Sequence, residues 1–420
     1  MHLLSYAQME TLARVYFEKI DPCYGFLNSD SVFEQISTRW ASSPLTPHPA
    51  DALLAGIAAL GSYFSKAHAV SFEGQLVVLA KAILDAATLS NTPDADNITA
   101  WVCHVTYLRL TASPPTAWIA SCTMMHIFEA AGVHRDAHRE TLVMPPLMSM
   151  QSQSLKRAFG IAQHLNMWIA YDIGLSRINL QAPRVLAPLA KAGSYSDRLL
   201  QLLPSSLELD RLSEEDEPTL RMTLATISAK SDIEPPLVMA QCNLLLCILR
   251  QLCARNALRT HDDSSLDQAL RFLQKGLRAA RQMIEDDTPW HHLANIPFQT
   301  LCTLLTIDTP TSLAIVGEAM QTLQDVKNAY NTATLNDACN TAYLILFLHR
   351  KRRWDDAQAI DNILSGIGNV GGMTPGLENG DVDPASPNNV EVSWFNDLVN
   401  GFPSLQEFSF ADFINTGAIS

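Results

Sequence analysis

Residues 264–284 read SSLDQALRFLQKGLRAARQMI and carry a regular pattern. Their apolar residues recur every three or four positions, at Leu266, Leu270, Leu273, Leu277, Ala280 and Ile284. This spacing places them on one face of an α-helix and leaves the charged residues on the other. The Asp and Ser residues at 262–265 are suitable N-caps. The stretch therefore predicts a long amphipathic helix that packs against a core on one side.

The same helical period recurs on both sides of this stretch. It is found after Pro310, at Leu313, Val316, Met320, Leu323 and Val326, and further candidate helices lie at about 51–67, 75–89 and 155–178 and between Ser113 and Gly132. No run of alternating β-branched residues with Asn-Gly or Asp-Gly turns is present. The sequence predicts an all-α fold, with a single large multi-helix domain of antiparallel helix pairs over residues 1–365.

The composition is that of a folded protein. Of the 420 residues, 47% are apolar and 17% are charged, which is enough material to bury a large core and excludes wholesale disorder. The eight cysteines lack paired spacing, which is typical of reduced, buried thiols in an intracellular protein. The longest apolar runs fall short of the roughly 18–20 residues that a membrane-spanning helix needs, and no signal peptide is evident. We therefore expect no membrane partner.

The net charge of −14 is concentrated near the C-terminal end. Ten Asp and Glu residues follow Arg353 and no Lys or Arg does, so the residues up to that point carry only −4. Phosphate binding needs clustered Lys and Arg, so this charge argues against nucleic-acid binding by the helical body itself. Residues 366–393 are rich in Gly, Pro and Asn and predict a flexible linker that leads into an acidic tail.

The segment at 394–420 interleaves aromatic residues with acids. Acids keep a short apolar segment soluble and extended, which leaves its aromatic side chains available to bind in a groove on a partner. This pattern is typical of acidic-hydrophobic activation segments, which bind transcription coactivators. A C-terminal helix that folds back onto the body is an equally good interpretation. The candidate activation residues are Trp394, Phe395, Leu398, Phe402, Phe408, Phe410 and Phe413.

One basic run, Arg350-Lys351-Arg352-Arg353, follows an apolar stretch at 343–348. Such a run is a candidate nuclear import signal. The alternative is the C-terminal end of a helix, where cations interact favourably with the helix dipole. Both interpretations place the run at the surface.

Three motifs have residue types that are typical of cofactor or metal sites, but each lacks a further feature that such a site needs. Residues 366–371 fit the Gly-x-Gly-x-x-Gly dinucleotide fingerprint, but that fingerprint needs a strand before it and a helix after it, and here a predicted helix precedes and a linker follows. His134 and His138 have the spacing of two zinc ligands without an evident third. The three cysteines at 242–253 lack the two-residue gap of a structural zinc site. The sequence therefore predicts no catalytic residue, no cofactor and no metal.

Several segments, taken in order, resemble the fungal-specific transcription factor domain, the middle homology region of binuclear zinc cluster (Zn2Cys6) regulators. The similar segments are residues 8–18, Asp21–Leu27, the helix end at 129–136 (EAAGVHRD), residues 156–159, Leu165-Asn166 and residues 174–178. The resemblance covers residues 8–180, and the rest of the helical region fits only as further helices.

The chain departs from the family pattern at two positions and in one module. Gly160 stands where the family usually has Trp, and Leu175 stands where it usually has Arg. No six-cysteine zinc cluster and no basic coiled-coil linker precede residue 8. We therefore expect that this module is either lacking or encoded upstream of Met1, and that contact with DNA is indirect or made through that module.

The resemblance implies a nuclear transcription regulator that is not an enzyme and that controls a metabolic or secondary-metabolite gene cluster. In the family, the helical domain is a regulatory body that sometimes senses a small molecule, and a C-terminal acidic segment recruits the transcription machinery. The expected partners are therefore coactivators or other regulators, with a small-molecule effector for the body. Two alternatives stay open: a non-DNA-binding helical adaptor or corepressor, and a helical enzyme without recognisable motifs.

Overall fold

The computed structural model describes residues 3–42, 48, 50–90, 93–133, 153–180, 189–209, 217–255 and 264–368. Within these ranges the regular elements are sixteen α-helices, with no strand, which confirms the predicted all-α class. The helices are α1 (Tyr6–Lys19), α2 (Asp21–Tyr24), α3 (Ser29–Ala41), α4 (Asp51–Tyr63), α5 (Glu73–Ser90), α6 (Ala95–Thr111), α7 (Pro114–Ala130), α8 (Gln153–Asp172), α9 (Ser196–Leu200), α10 (Leu203–Glu208), α11 (Glu217–Ser228), α12 (Pro235–Ala254), α13 (Ser264–Glu285), α14 (His292–Ile307), α15 (Pro310–Tyr330) and α16 (Ala333–Gly368).

The first half of the helical body is built around α4. Nearly every residue of this Ala- and Leu-rich helix is buried, because α1, α5 and α6 all pack against it. At the crossing with α1 the two backbones come so close that a Cβ atom at Gly61 would lie 2.2 Å from the carbonyl oxygen of Leu12. Only a glycine fits there without moving one of the two helices.

The second half is built around α12, which packs against α11, α13 and α14. The apolar face of α13 is buried as its spacing predicts. By length and composition, α12 is also the one helix in the described residues that could cross a membrane. A buried core helix passes the same test, and most of α12 is buried inside the protein.

The helix predicted over 155–178 ends earlier than expected. α8 stops at Asp172, and Gly174 follows with a φ of +65°. The amide of Leu175 donates to the carbonyl oxygen of Ala170 at 3.0 Å, which satisfies a backbone group that the helix end would leave unpaired. The chain therefore leaves the helix at Gly174 and continues as an irregular segment.

Residue contacts divide the chain into two compact units, Met1–Leu344 and Ile345–Ser420. The first unit holds α1 to α15 and the beginning of α16. Within the described residues, the second unit consists of the remainder of α16. The sequence predicts a later domain boundary, between the body at 1–365 and the linker at 366–393.

Candidate functional site

The candidate activation segment at 394–420 lies outside the described residues, as does nearly all of the candidate linker. His134 and His138 also lie outside them. The functional features that the structure does describe are the basic run, a pocket lined by cations, and the family-like segments of the body.

The basic run at 350–353 lies inside α16, and all four of its residues are exposed. The helix continues to Gly368, so the interpretation of the run as a helix C-terminus is wrong, because the dipole acts only on the last turn. Arg350 lies over the ring of Phe347 at 5.4 Å. The fingerprint-like glycines begin in the same helix, at Gly366, so no strand precedes them.

A basic pocket lies where the C-terminal end of α11 approaches α13, and its volume is about 310 Å³. Three of its cations follow one another on α13 at spacings of four and three residues, so they share one face of that helix. A fourth cation lies just past the end of α11. The residues that line the basic pocket are Ser228, Lys230, Gln268, Arg271, Phe272, Lys275 and Arg278.

In the described part of the chain, no acid forms an ion pair with the cations of the basic pocket. Among the described residues, none of the four has a carboxylate oxygen within 4.0 Å. Asp232, whose charge interacts with that of Lys230, forms its ion pair with Arg198 at 2.7 Å. Ser228 is buried, and its hydroxyl has no hydrogen-bond partner in the described part of the chain. Four positive charges and one buried donor are suited to binding an anion.

The family-like segment Asp21–Leu27 forms a turn that two cations hold in place. Lys191 donates to Asp21 Oδ2 at 2.7 Å and to the carbonyl oxygen of Gly25 at 3.2 Å. Arg157, from a second family-like segment, donates to the same Gly25 oxygen at 3.3 Å. Burial raises the pKa of Asp21, although Lys191 acts in the opposite direction. Segments far apart in sequence thus meet in one buried polar cluster.

The family-like segment at 174–178 is tethered to two neighbouring helices. Trp118 of α7 donates its indole N–H to the carbonyl oxygen of Ser176 at 3.0 Å. Asn166 of α8 accepts the amide N–H of Ile178 at 2.8 Å through Oδ1. These hydrogen bonds fix the backbone that follows α8, and none of the residues involved lines the basic pocket. The described family-like residues therefore stabilise the fold of the body.

Gly160, where the family usually has Trp, lies at a close contact between α8 and α9. A Cβ atom at this position would lie 2.8 Å from Cδ1 of Leu200. Leu200 therefore occupies the space that a larger side chain at this position would need.

Buried histidines and thiols do not form a metal site in the described part of the chain, where no group of three His, Cys, Asp or Glu is arranged to hold an ion. Burial lowers the pKa of His164 to about 3, so its imidazole is neutral at pH 7. Burial also raises the pKa of Cys242 to about 12, which keeps the thiol protonated and unreactive. All eight cysteines are free, and five of them are buried.

The basic pocket is missing from the expectations based on the sequence. Three of its cations could have been found from the sequence, because Arg271, Lys275 and Arg278 share one face of α13. A charged helix face of this kind, however, is most often simply exposed to solvent. The other part of the basic pocket depends on tertiary structure, because Lys230 and Ser228 come close to these cations only when α11 packs against α13.

Comparison with known proteins links this chain to one protein family and to several fungal proteins. The profile of the family described as Fungal specific transcription factor domain matches residues 13–282. Protein RDR1 of Gibberella zeae is 36% identical over 410 residues, which cover 98% of this chain and 73% of that protein. Transcription factor kojR of Aspergillus oryzae is 36% identical over 361 residues, which cover 84% of this chain and 64% of that protein. Protein RDR1 of Saccharomyces cerevisiae is 28% identical over 355 residues, which cover 83% of this chain and 64% of that protein.

Proposed function

The chain belongs to the fungal specific transcription factor domain family, and from that premise we propose how its parts divide the work of a transcription regulator. Residues 1–365 are the regulatory body, residues 366–393 are a linker, and residues 394–420 recruit coactivators. The observation that supports this division is the charge distribution, since ten acids and no Lys or Arg follow Arg353. The enzyme alternative gains no support from the family.

The activation role is tested by fusing residues 366–420 to a heterologous DNA-binding domain upstream of a reporter gene. We expect activation that falls to background when Trp394, Phe395, Phe408 and Phe410 are replaced by Ala, because the aromatic side chains would make the main contacts with a coactivator. A matched control replaces Ser393, Asn400, Ser404 and Ser409 by Ala and should keep its activity. An inert fusion, or activation that survives loss of the aromatic residues, would contradict the proposal.

The nucleus is the expected location of a transcription regulator, and we propose that the basic run at 350–353 is its import signal. Its support is that all four residues are exposed and that the helix-end explanation no longer applies. Replacing the four residues by Gln in a fluorescent fusion of the full chain should move the protein to the cytoplasm. As a control, an appended heterologous import signal should restore nuclear accumulation. Unchanged nuclear localisation would remove the proposal.

The effector of the body, in our proposal, is a small anion that binds in the basic pocket. The pocket has four cations without ion-pair partners among the described residues and a buried hydroxyl without a hydrogen-bond partner there. An anion that binds the native state would stabilise it in proportion to its concentration. Citrate and inorganic phosphate should therefore raise the melting temperature of the full chain above that in chloride of equal ionic strength.

The double variant Arg271→Gln, Lys275→Gln should lose this stabilisation. Arg14→Gln, which removes an exposed cation on α1, is the matched control and should respond to both anions as the natural chain does. Equal responses to citrate, phosphate and chloride, or an unchanged response in the double variant, would count against an anion site.

We propose that the target genes form a metabolic or secondary-metabolite cluster. Deletion of the gene should change the transcripts of neighbouring biosynthetic genes together, and scattered changes would contradict this.

The second candidate function is an adaptor or corepressor that reaches promoters through a DNA-binding relative, which the acidic net charge favours. In that case this protein would no longer be found at its promoters when the gene of the DNA-binding relative is deleted.

A further inference from the structure

The second half of α16 carries large apolar side chains that are exposed. Trp354 is 64% exposed and Leu364 is 60% exposed. Every residue from 350 to 365 is exposed. Helices in proteins gain most of their stability by packing apolar side chains, so exposed Trp and Leu side chains on one helix are suited to contact with a partner.

Six residues of α16 form a stripe with the spacing of a coiled-coil seam. Successive members are three, four, three, four and three residues apart, which is the a/d pattern of a heptad repeat. Four members are apolar, and the other two are a cation and an anion. The members of this α16 stripe are Phe347, Arg350, Trp354, Ala357, Asp361 and Leu364.

We propose that the α16 stripe pairs with the same stripe of a second copy of this chain, as an antiparallel two-stranded coiled coil. A two-fold axis between residues 355 and 356 would place Arg350 opposite Asp361 of the second copy. The same axis places Trp354 opposite Ala357 of the second copy and Phe347 opposite Leu364 of the second copy. Each a position then faces a d position, a cation faces an anion, and the largest side chain faces the smallest.

The antiparallel direction follows from the order of the residues. In a parallel pair each residue would face its own counterpart, so Arg350 would oppose Arg350, Asp361 would oppose Asp361, and the two Trp354 side chains would collide. Like charges in a seam and two large side chains at one level both disfavour association. The antiparallel arrangement avoids all three of these unfavourable pairings.

The charge along the helix favours a second copy over an unrelated partner. Residues 350–353 are all basic, and Asp355, Asp356 and Asp361 follow them. An antiparallel copy lays the acidic part of one helix beside the basic part of the other, which makes the segment self-complementary, as a two-fold interface requires. Asp355 and Asp356 occupy the b and c positions, so they stay outside the seam near the axis.

The experiment is sedimentation velocity of the full chain at concentrations from about 1 µM to about 100 µM, a range that covers micromolar dissociation constants. The natural chain should shift from monomer toward twice that mass. Arg350→Glu and Asp361→Arg each place like charges across the seam and should weaken dimerisation by at least about tenfold. The double variant restores opposite charges and should return to within about threefold of the natural dissociation constant.

Two variants on the outer faces of α16, Arg352→Glu and Asp356→Arg, make the same charge changes and serve as matched controls. They should dimerise as the natural chain does, and circular dichroism of all five variants establishes that the helices are retained. A natural chain that stays monomeric over the whole range, as when the acidic tail itself occupies the stripe, would overturn the proposal. A dimer that neither single variant weakens, or that the double variant does not recover, would overturn it as well.

Discussion

Gly61 shows how a single residue sets the distance between two helices. A Cβ atom there would lie 2.2 Å from the carbonyl oxygen of Leu12, which is backbone and cannot rotate away. We expect Gly61→Ala to lower the free energy of unfolding by about 2 kcal/mol or more, because α1 and α4 must separate. Gly317→Ala is the matched control, since Gly317 lies in α15 with open space around it. Urea denaturation should show this control to be neutral or more stable by up to about 1 kcal/mol.

Arg39 and Asp51 form a buried ion pair between α3 and α4, with 2.6 Å between Nε and Oδ1 and side chains only 4% and 7% exposed. Removing one partner leaves the other charge buried and unpaired. Arg39→Leu should therefore lower the free energy of unfolding by about 3–5 kcal/mol. The exposed pair Lys81–Asp85 gives the comparison, and Lys81→Ala should cost less than about 1 kcal/mol. Similar costs for the two pairs in denaturant titrations would refute this argument.

At the scale of one element, Asn166 connects α8 to the irregular segment that follows it. It accepts the amide of Ile178 at 2.8 Å and donates to Ser121 Oγ at 3.0 Å. Asn166→Ala should lower the free energy of unfolding by about 1–3 kcal/mol, because a part-buried amide loses its partner. Hydrogen exchange should show faster exchange at Ile178 in this variant. Asn179→Ala changes an exposed neighbour and should leave the exchange rate as it is, and equal rates in all three proteins would disprove the tether.

Helix positions were predictable from sequence wherever a local pattern determines them. The spacing over 264–284 predicts a helix that the structure places at Ser264–Glu285. The end of α8 was predicted too late in the chain. The helix stops before Gly174, and tertiary hydrogen bonds, which cannot be read from the local sequence, hold the segment that follows. The basic run in α16 was open to interpretation as a helix end because cations are common in the last turn of a helix, although a helix was also expected directly before Gly366. The Asp-, Ala- and Gln-containing residues at 355–365 are compatible with continued helix, so the run lies in the interior.

At the scale of the whole molecule, features that depend on local composition were predictable and features that depend on packing were not. The acidic-aromatic tail and the basic run at 350–353 are visible in the sequence because each is one continuous segment. The basic pocket needs Lys230 beside Arg271, and only the packing of α11 against α13 brings them together. The family-like segments combine both kinds of feature. The segments themselves can be recognised in the sequence, but the contacts by which they hold the body together, such as that of Arg157 with Gly25, are known only from the structure.

The body as a whole should lose stability as the solution becomes mildly acidic. Burial lowers the pKa of His104 to about 4 and of His164 to about 3, and it lowers the pKa of His292 well below the usual value. Below about pH 6.5 the unfolded chain binds protons at these imidazoles while the native chain does not, so the native state is disfavoured. Each histidine should reduce the free energy of unfolding by about 1.4 kcal/mol per pH unit between roughly pH 6 and pH 4.

Asp21 acts in the opposite direction, because burial raises its pKa and the native state therefore binds its proton more readily than the unfolded chain does. Burial likewise lowers the pKa of His291 and raises the pKa of Asp172, so four histidines act against two carboxyl groups and the net slope should remain a loss of stability toward acid. Urea denaturation at pH 7, 6 and 5 measures this slope. His164→Gln should reduce it. A free energy of unfolding that stays constant from pH 7 to pH 5 would mean that these histidines take up protons as readily in the native state as in the unfolded chain, and it would contradict the prediction.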